Sequence, residues 1–338
     1  MNDDQLAQIK QIVGDAQHIV VVQADNPDAD SLGSALALEQ VFGDLGKEVS
    51  LYCGVEMPTY LRYLAGWDRV QLDLPHQFDA SIIVDVSTYT LLEKLSKSGQ
   101  FGWLKAKPAI VLDHHNTVDN QLDFAGVTIC DEQMSSTGEL IYHVAQKLGW
   151  PVNQVAGSMI ASSMLGDTQG LTNDLTGATT YRVMAELVEA GLNRPALEEM
   201  RREASKMQQT IYRYKGELIA RTQFAADGRI AYVHIPQDEI NTYSPLYNPG
   251  VLVQYDSLQV EGVQISIIFK TYDNGRITAK IRTNAGAPIA DKLGKHFGAG
   301  GHPHSAGFKI ENGRSFDDVR SDCLQFTEEL LNALGLPE

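Results

Sequence analysis

The sequence predicts an α/β protein: an N-terminal, mainly parallel sheet flanked by helices, a helical linker, and a smaller C-terminal α+β domain. Three observations predict it. Over the first 190 residues, short apolar runs alternate with segments of helical period, the pattern of βαβ units. Beyond the breaker cluster Gly191-Leu192-Asn193-Arg194-Pro195, strand patterns return, two of them joined by the hairpin signal Asp273-Asn274-Gly275. Finally, 338 residues at about 150 per domain is a two-domain length. The expected division is 1–190, a linker at 191–215, and 216–338.

Residues 4–16 carry Leu6, Ile9, Ile12 and Val13 on one helical face, and 18–22 is a run of buried-strand type. After a polar loop at 24–30, a helix is expected over 31–45, with Leu32, Leu36, Leu38, Val41 and Phe42 turned inward. Strands follow at 49–53, 81–86 and 109–112, with helices at 90–97, 136–148, 153–166 and 177–191. A long polar helix is expected over 196–216, then strands at 217–224, 229–235, 262–271 and 276–283. Val319, Cys323, Phe326, Leu330 and Leu334 make 315–335 an amphipathic helix.

Composition narrows the function. With 43% hydrophobic and 21% charged residues, the chain can build a core and is not disordered. Cys53, Cys130 and Cys323 lie far apart with no CxxC pair, which argues against a disulfide framework and structural zinc and for a reducing, cytoplasmic setting. The acidic start Met1-Asn2-Asp3-Asp4 is unlike a secretory signal, and no apolar run nears the roughly 18 residues of a membrane span. A formal net charge of −16 disfavours long duplex nucleic acid, but not a short nucleotide held by a few local cations or metals.

Four clusters of chemistry-bearing residues follow apolar segments in the first part, where ligands of a parallel α/β sheet bind. Asp28 and Asp30 alternate in the loop after the first strand and offer hard oxygen ligands suited to Mn²⁺ or Mg²⁺. The bland alternative is an Asp-rich turn in which Asp30 or Ser31 caps the next helix. A calcium loop starting at Asp28 fails because Leu32 occupies a ligand position. Asp85 closes an apolar strand and is either a site residue or a cap near Ser87. Asp113-His114-His115-Asn116 ends another, where one imidazole can bind metal while its neighbour handles a proton. Asp167 follows the apolar stretch ending at Gly166. Carboxylates and histidine without cysteine point to two-metal phosphoryl chemistry. In the second part, the glycine-rich run Gly298-Ala299-Gly300-Gly301-His302-Pro303-His304 can bring backbone N–H groups close to an anion. Arg282 can clamp a phosphate or be an ordinary strand residue.

Together these motifs resemble the DHH phosphoesterase superfamily, in particular the two-domain bacterial branch of nano-RNases that also act on 3′-phosphoadenosine 5′-phosphate (pAp), RecJ-like exonucleases and cyclic dinucleotide phosphodiesterases. The resemblance rests on Asn26-Pro27-Asp28-Ala29-Asp30-Ser31, Val84-Asp85, Asp113-His114-His115, Gly166-Asp167-Thr168 and Gly300-Gly301-His302 through Ala306-Gly307-Phe308, in the family's order. It implies that Asp85 bridges two Mn²⁺ ions, that Asp30, His114 and Asp167 complete one site, and that Asp28 belongs to the other. It further implies that His115 lies beside the reacting phosphate, that Asp113 orients the histidines, and that Arg282, Gly300, Gly301, His302 and His304 hold substrate at a cleft between domains. A homodimer is the family-level expectation.

One departure matters. The family's usual histidine four residues before the first motif aspartate is Ala24 here, which cannot ligate. Either Asp25 substitutes, or water leaves a weaker site, or one metal suffices. The expectation is one tightly held Mn²⁺ and a second that is weaker, with Mg²⁺ or Co²⁺ as substitutes. Ala299 and Ser305 also depart from the usual glycine and alanine, but both are small. The leading reading is a Mn²⁺-dependent hydrolase of oligoribonucleotides, pAp or dinucleotides. Its rivals are an exopolyphosphatase or pyrophosphatase, and a non-catalytic nucleotide-binding relative. Tyr243, Tyr247 and Tyr255 are candidate base stackers or ordinary packing residues.

Overall fold

The computed structural model describes residues 1–115, 120–244, 248 and 250–335. Tyr247 and Asn116 therefore lie outside the described residues. The chain divides into two compact units, Met1–Lys206 and Met207–Glu338.

The first unit is built on six strands: β1 (His18–Val22), β2 (Glu48–Tyr52), β3 (Val70–Gln71), β4 (Ala80–Val84), β5 (Ala109–Asp113) and β6 (Val127–Cys130). They pair in the order β3-β2-β1-β4-β5-β6, parallel throughout. The helices are α1 (Asp3–Asp15), α2 (Ala29–Asp44), α3 (Glu93–Lys97), α4 (Phe101–Lys105), α5 (Thr137–Leu148), α6 (Gln154–Asp167), α7 (Ala178–Glu189) and α8 (Arg194–Ala204). Because helices cover both faces, β4 and β5 are buried at every position, which explains their unbroken apolar runs. Ile19 and Val21 pack with α1, α2, α5 and α6, while Val20 and Val22 face Leu92, Leu95, Phe101 and Leu104. Small residues let α2 and α6 cross closely. A Cβ on Gly33 would meet the Met159 carbonyl oxygen at 2.7 Å, and one on Gly166 would meet Ala29 Cβ at 2.7 Å.

The second unit has a six-stranded sheet in the order β11-β12-β10-β9-β8-β7. Its elements are α9 (Gln209–Arg221), β7 (Gln223–Ala225), β8 (Ile230–Ile235), α10 (Gln237–Tyr243), α11 (Val251–Leu258), β9 (Ile265–Thr271), β10 (Ile277–Thr283), α12 (Ala290–His296), β11 (Gly301–His302), β12 (Ser305–Ile310) and α13 (Phe316–Ala333). Among the described residues of this sheet only β8 and β9 pair in parallel, and α10 and α11 lie in the connection between them. Ile265, Ile267, Phe269 and Ile281 pack on Leu293, Val319 and Cys323 on one side of the sheet. Val233, Ile235 and Ile268 pack on Tyr214, Leu218, Leu252 and Val253 on the other.

Several boundaries differ from the sequence expectation. The helix expected at 31–45 starts at Ala29, because Asp28 is its N-cap rather than Asp30 or Ser31. The strand expected at 81–86 ends at Val84, since Asp85 turns to φ 60°. The single helix expected over 196–216 is two, α8 and α9, separated at 205–208. The break lets Leu197 pack into the first unit and Ile211, Tyr214 and Leu218 into the second. That same apolar spacing of three and four makes 217–221 helical where a strand was expected. The edge strands β3 and β6 and helix α4 had no distinct sequence pattern. Among the described residues, no helix is long and apolar enough to cross a membrane.

Candidate metal centre

The strand order of the first sheet reverses between β1 and β4, the switch point beyond whose carboxyl ends open α/β sheets bind ligands. The loop after β1 enters α2 through Asp28, whose Oδ1 accepts the N–H groups of Asp30 and Ser31, both at 3.0 Å. Burial, then the charges of Asp30 and Asp167, push the Asp28 carboxyl up to about 6. Asp30, one residue into the helix, is fully buried. Four donors hold it. Ser163 Oγ at 2.5 Å, Ser34 Oγ at 3.1 Å and the Gly138 N–H at 3.2 Å reach Oδ1, and the Thr137 N–H at 2.8 Å reaches Oδ2.

Asp85 follows β4 in the left-handed region, a conformation that costs a non-glycine residue about 1–3 kcal/mol and is typical of functional turns. Its Oδ1 accepts from Thr137 Oγ1 at 3.4 Å. Burial and the charges of Asp30, Asp28, Asp167 and Asp113 raise its pKa well above the usual carboxylate range. Asp167, at the end of α6, is likewise raised, chiefly by burial.

His114 joins these carboxylates. Its Nδ1 lies 3.3 Å from the Met134 carbonyl oxygen, which favours the tautomer with the proton on Nδ1. Nε2 then faces Asp167 Oδ2 at 2.9 Å, Asp30 Oδ2 at 3.4 Å and Asp85 Oδ1 at 3.8 Å. Yet Nε2 is buried with no hydrogen bond of acceptable geometry. A nitrogen lone pair this close to three carboxylate oxygens needs a cation between them. Without metal that cation is a proton: burial opposes it, but Asp167 and Asp30 prevail and push His114 up to about 9. A divalent metal satisfies the same donor set. The ligand atoms of Asp30, His114 and Asp167 lie within 4.8 Å of one another, as do those of Asp85, His114 and His115.

His115 stands at the rim, about half exposed. Asp113 Oδ1 accepts both its Nδ1–H at 2.8 Å and its backbone N–H at 3.1 Å. Burial works against the Asp113 charge, but hydrogen bonds from His115 and Ser87 outweigh it and lower the pKa. Asp113 therefore orients His115, whereas His114 is oriented by Met134.

The structure brings Asp30, Asp85, Asp113, His114, His115 and Asp167 together, with Asp28 beside them but in neither three-residue group. Ala24 is buried among Val22, Tyr52 and Leu92, and its carbonyl oxygen accepts from Cys53 Sγ at 3.2 Å. Asp25 is engaged through one oxygen: Oδ2 accepts the Lys94 N–H at 2.7 Å at the start of α3, while Oδ1 is buried against Gly54 with no hydrogen-bond partner among the described residues.

Sequence reading missed the residues that fix Asp30: Thr137, Gly138 and Ser163. Their support is Glu139, fully buried, which accepts from Ser135 N at 2.9 Å, Ser135 Oγ at 2.5 Å and Thr180 Oγ1 at 3.1 Å. The signal was present. Ser136-Thr137-Gly138-Glu139 has the spacing of a capping box, and a helix N-terminus with free N–H groups is a ready partner for a carboxylate.

In the second unit, Gly301 and His302 pair with Ala306 and Ser305, and Ser305 also pairs with Arg282. A Cβ on Gly301 would meet Ala306 Cβ at 2.5 Å, whereas Gly300 faces open space. His304 Nδ1 lies 2.9 Å from Thr283 Oγ1. Tyr243 stacks on Tyr214 with centroids 3.7 Å apart, and Tyr255 is exposed.

A doubly wound sheet carrying at its switch point a buried carboxylate–histidine cluster that could hold a metal ion defines the α/β class. Residues 18–166 match the family model described as "DHH family, N-terminal domain". Among curated proteins, the chain is 24% identical to the bifunctional oligoribonuclease and PAP phosphatase NrnA of Thermus thermophilus, over 92% of this chain and 89% of that protein. Among solved structures it is similar to an exopolyphosphatase-related protein from Bacteroides fragilis, with a TM-score of 0.85 at 19% identity over 98% of both chains. It is also similar to RecJ in complex with Mn²⁺ from Thermus thermophilus, with a TM-score of 0.55 at 14% identity over 99% of this chain and 55% of that one.

Proposed function

We propose that the protein is a Mn²⁺-dependent phosphoesterase that hydrolyses short nucleotide substrates: oligoribonucleotides, pAp or dinucleotides. One observation carries the reading. Three carboxylates surround a buried histidine nitrogen that has no hydrogen bond of its own, a donor set for a hard divalent cation. Similarity to an enzyme named as both oligoribonuclease and phosphatase supports the substrate class. In this reading Asp30, His114 and Asp167 would hold one ion with Asp85 alongside, and Asp28 would serve a second, weaker position left short of a ligand by Ala24. A cation bound there supplies Lewis-acid charge neutralisation and lowers the pKa of water.

The chain's own groups do the rest. Asp113 locks Nδ1 of His115 as a donor, which leaves Nε2 as the ring's other proton site, for a phosphate oxygen or a leaving group. The four donors on Asp30 fix its carboxylate before any ligand arrives, so little reorganisation is needed. Arg282, Gly300, Gly301, His302 and His304 of the second unit are assigned to substrate binding.

The test is product release by metal-stripped protein with Mn²⁺ added back. The panel is a diribonucleotide, pAp, a cyclic dinucleotide, polyphosphate and pyrophosphate, with Asp85→Ala as the blank. Mn²⁺-dependent turnover of a nucleotide that is absent from the variant is expected. Turnover of polyphosphate or pyrophosphate alone would replace the reading, and no turnover with retained nucleotide binding would make the protein a non-catalytic relative.

A further inference from the structure

The second unit carries a cluster of cations outside the glycine-rich loop. On β10, Ile277, Ala279, Ile281 and Thr283 are buried, so Thr278, Lys280 and Arg282 share the opposite face. Lys270 on β9 pairs with Thr278, which makes it the diagonal neighbour of Lys280 on that face. Across the sheet, Gly307 pairs with Lys280 and Ser305 with Arg282, so small residues flank these two cations, while Lys309, opposite Thr278, is ion-paired with Glu311. Lys270 and Lys280 line one cavity of about 120 Å³ with Ile268, Tyr272 and Thr278.

Both lysines are half-buried. Among the described residues, neither lysine nor Arg282 has a carboxylate partner, although the protein carries 43 acidic residues and a net charge of −16. Among the described residues, the one polar contact of Lys270 Nζ is Asn248 Oδ1 at 3.1 Å. Burial, and for Lys280 the neighbouring Arg282 and Lys270, lower the pKa of both lysines, so the cluster is held at an electrostatic cost. In so acidic a chain, uncompensated cations lining a concave site are complementary to an anion. Nothing else described in the fold relieves them.

We infer that Lys270 and Lys280 form an anion subsite that holds a phosphate other than the one being hydrolysed. The protein then favours substrates with at least two phosphate groups. This rests on the nucleotide reading above and adds to it a specificity element beyond Arg282 and the glycine-rich loop. A row of three cations, with Lys280 and Arg282 about 7 Å apart along the strand, suits successive phosphates of a single strand.

The experiment has two arms on the full chain. In the first, metal-stripped protein is titrated with pyrophosphate by calorimetry, for wild type, Lys270→Gln, Lys280→Gln and Lys280→Arg. In the second, KM and kcat are measured for a 5′-phosphorylated diribonucleotide and its 5′-hydroxyl counterpart. Wild type is expected to bind pyrophosphate and to favour the phosphorylated substrate through KM. Each glutamine variant should weaken pyrophosphate binding roughly tenfold or more and erase most of the preference, while Lys280→Arg restores both. Unchanged pyrophosphate binding and an unchanged preference in glutamine variants that melt like wild type would overturn the inference. If wild type cleaves neither substrate but binds pyrophosphate through these lysines, the hydrolase reading fails and the anion subsite stands.

Discussion

Removing the Ser163 hydroxyl tests whether Asp30 is a positioned ligand or simply a buried acid. Ser163 is fully buried and its Oγ makes the shortest of the four bonds to Asp30, at 2.5 Å. The other partners of that hydroxyl have alternatives: the Gly138 N–H also reaches Asp30 Oδ1 at 3.2 Å, and Ser136 Oγ still accepts the Glu139 N–H at 3.1 Å. Ser163→Ala therefore subtracts one charge-assisted bond and also takes away the acceptor of the fully buried Ser136 hydroxyl, a cost in stability that the melting curve reads separately from metal affinity. Such a bond is worth about 1.5–3 kcal/mol, which is roughly ten- to a hundredfold in an equilibrium constant. Loss of an outer partner of a metal ligand has an effect of the same size on metal affinity. The assay is titration of stripped protein with Mn²⁺, with free Mn²⁺ read by its electron spin resonance signal, alongside a melting curve. The expected result is Mn²⁺ affinity reduced ten- to a hundredfold with the fold intact. Wild-type affinity in Ser163→Ala would refute the claim that these donors prepare Asp30 for metal.

Three further predictions follow from the same geometry. Metal-free protein should lose stability from about pH 6.5 to pH 9. The folded His114 pKa of about 9 exceeds its unfolded 6.5, so its contribution is complete below 6.5 and lost as pH rises through 9. The raised carboxyls of Asp85 and Asp167 act in the same direction. Melting curves in chelator should show this slope and saturating Mn²⁺ should flatten it; a flat chelator profile would contradict it. Asp85→Asn removes a buried acid whose ionisation four other carboxylates oppose while keeping a residue type that tolerates positive φ, so the metal-free variant should melt higher than wild type at the alkaline end of that range and lack turnover. Elemental analysis of dialysed wild type should give one Mn²⁺ per chain, and Ala24→His should tighten the second ion. Because Ala24 is only 3% exposed, the variant should also lose about 1–3 kcal/mol of metal-free stability from overpacking.

Much of this centre was legible before any coordinates. Strands buried on both faces write themselves as unbroken apolar runs, so β1, β4 and β5 and the acidic residues at their ends could be placed from the sequence. What could not be read was how those residues are held. The contact between Asp30 and the start of α5 joins residues more than a hundred positions apart, and the close approach of α2 and α6 depends on Gly33 and Gly166, which have no sequence pattern of their own. The break between α8 and α9 was hidden because polar residues fill both helices and the switch of the buried face from Leu197 to Ile211 is visible only once each helix has its partner. Lys280 was passed over in favour of Arg282 because a single strand lysine is ordinary until Lys270 is set beside it by register.

The central claim is that Asp30, Asp85, His114 and Asp167 form a divalent metal centre. It is tested most directly by soaking crystals of the stripped protein in Mn²⁺ and measuring diffraction at the manganese absorption edge. A strong anomalous peak is expected within bonding distance of His114 Nε2 and the carboxylates of Asp30 and Asp167, with Asp85 alongside. No peak there, or a strong peak only elsewhere on the molecule, would contradict it.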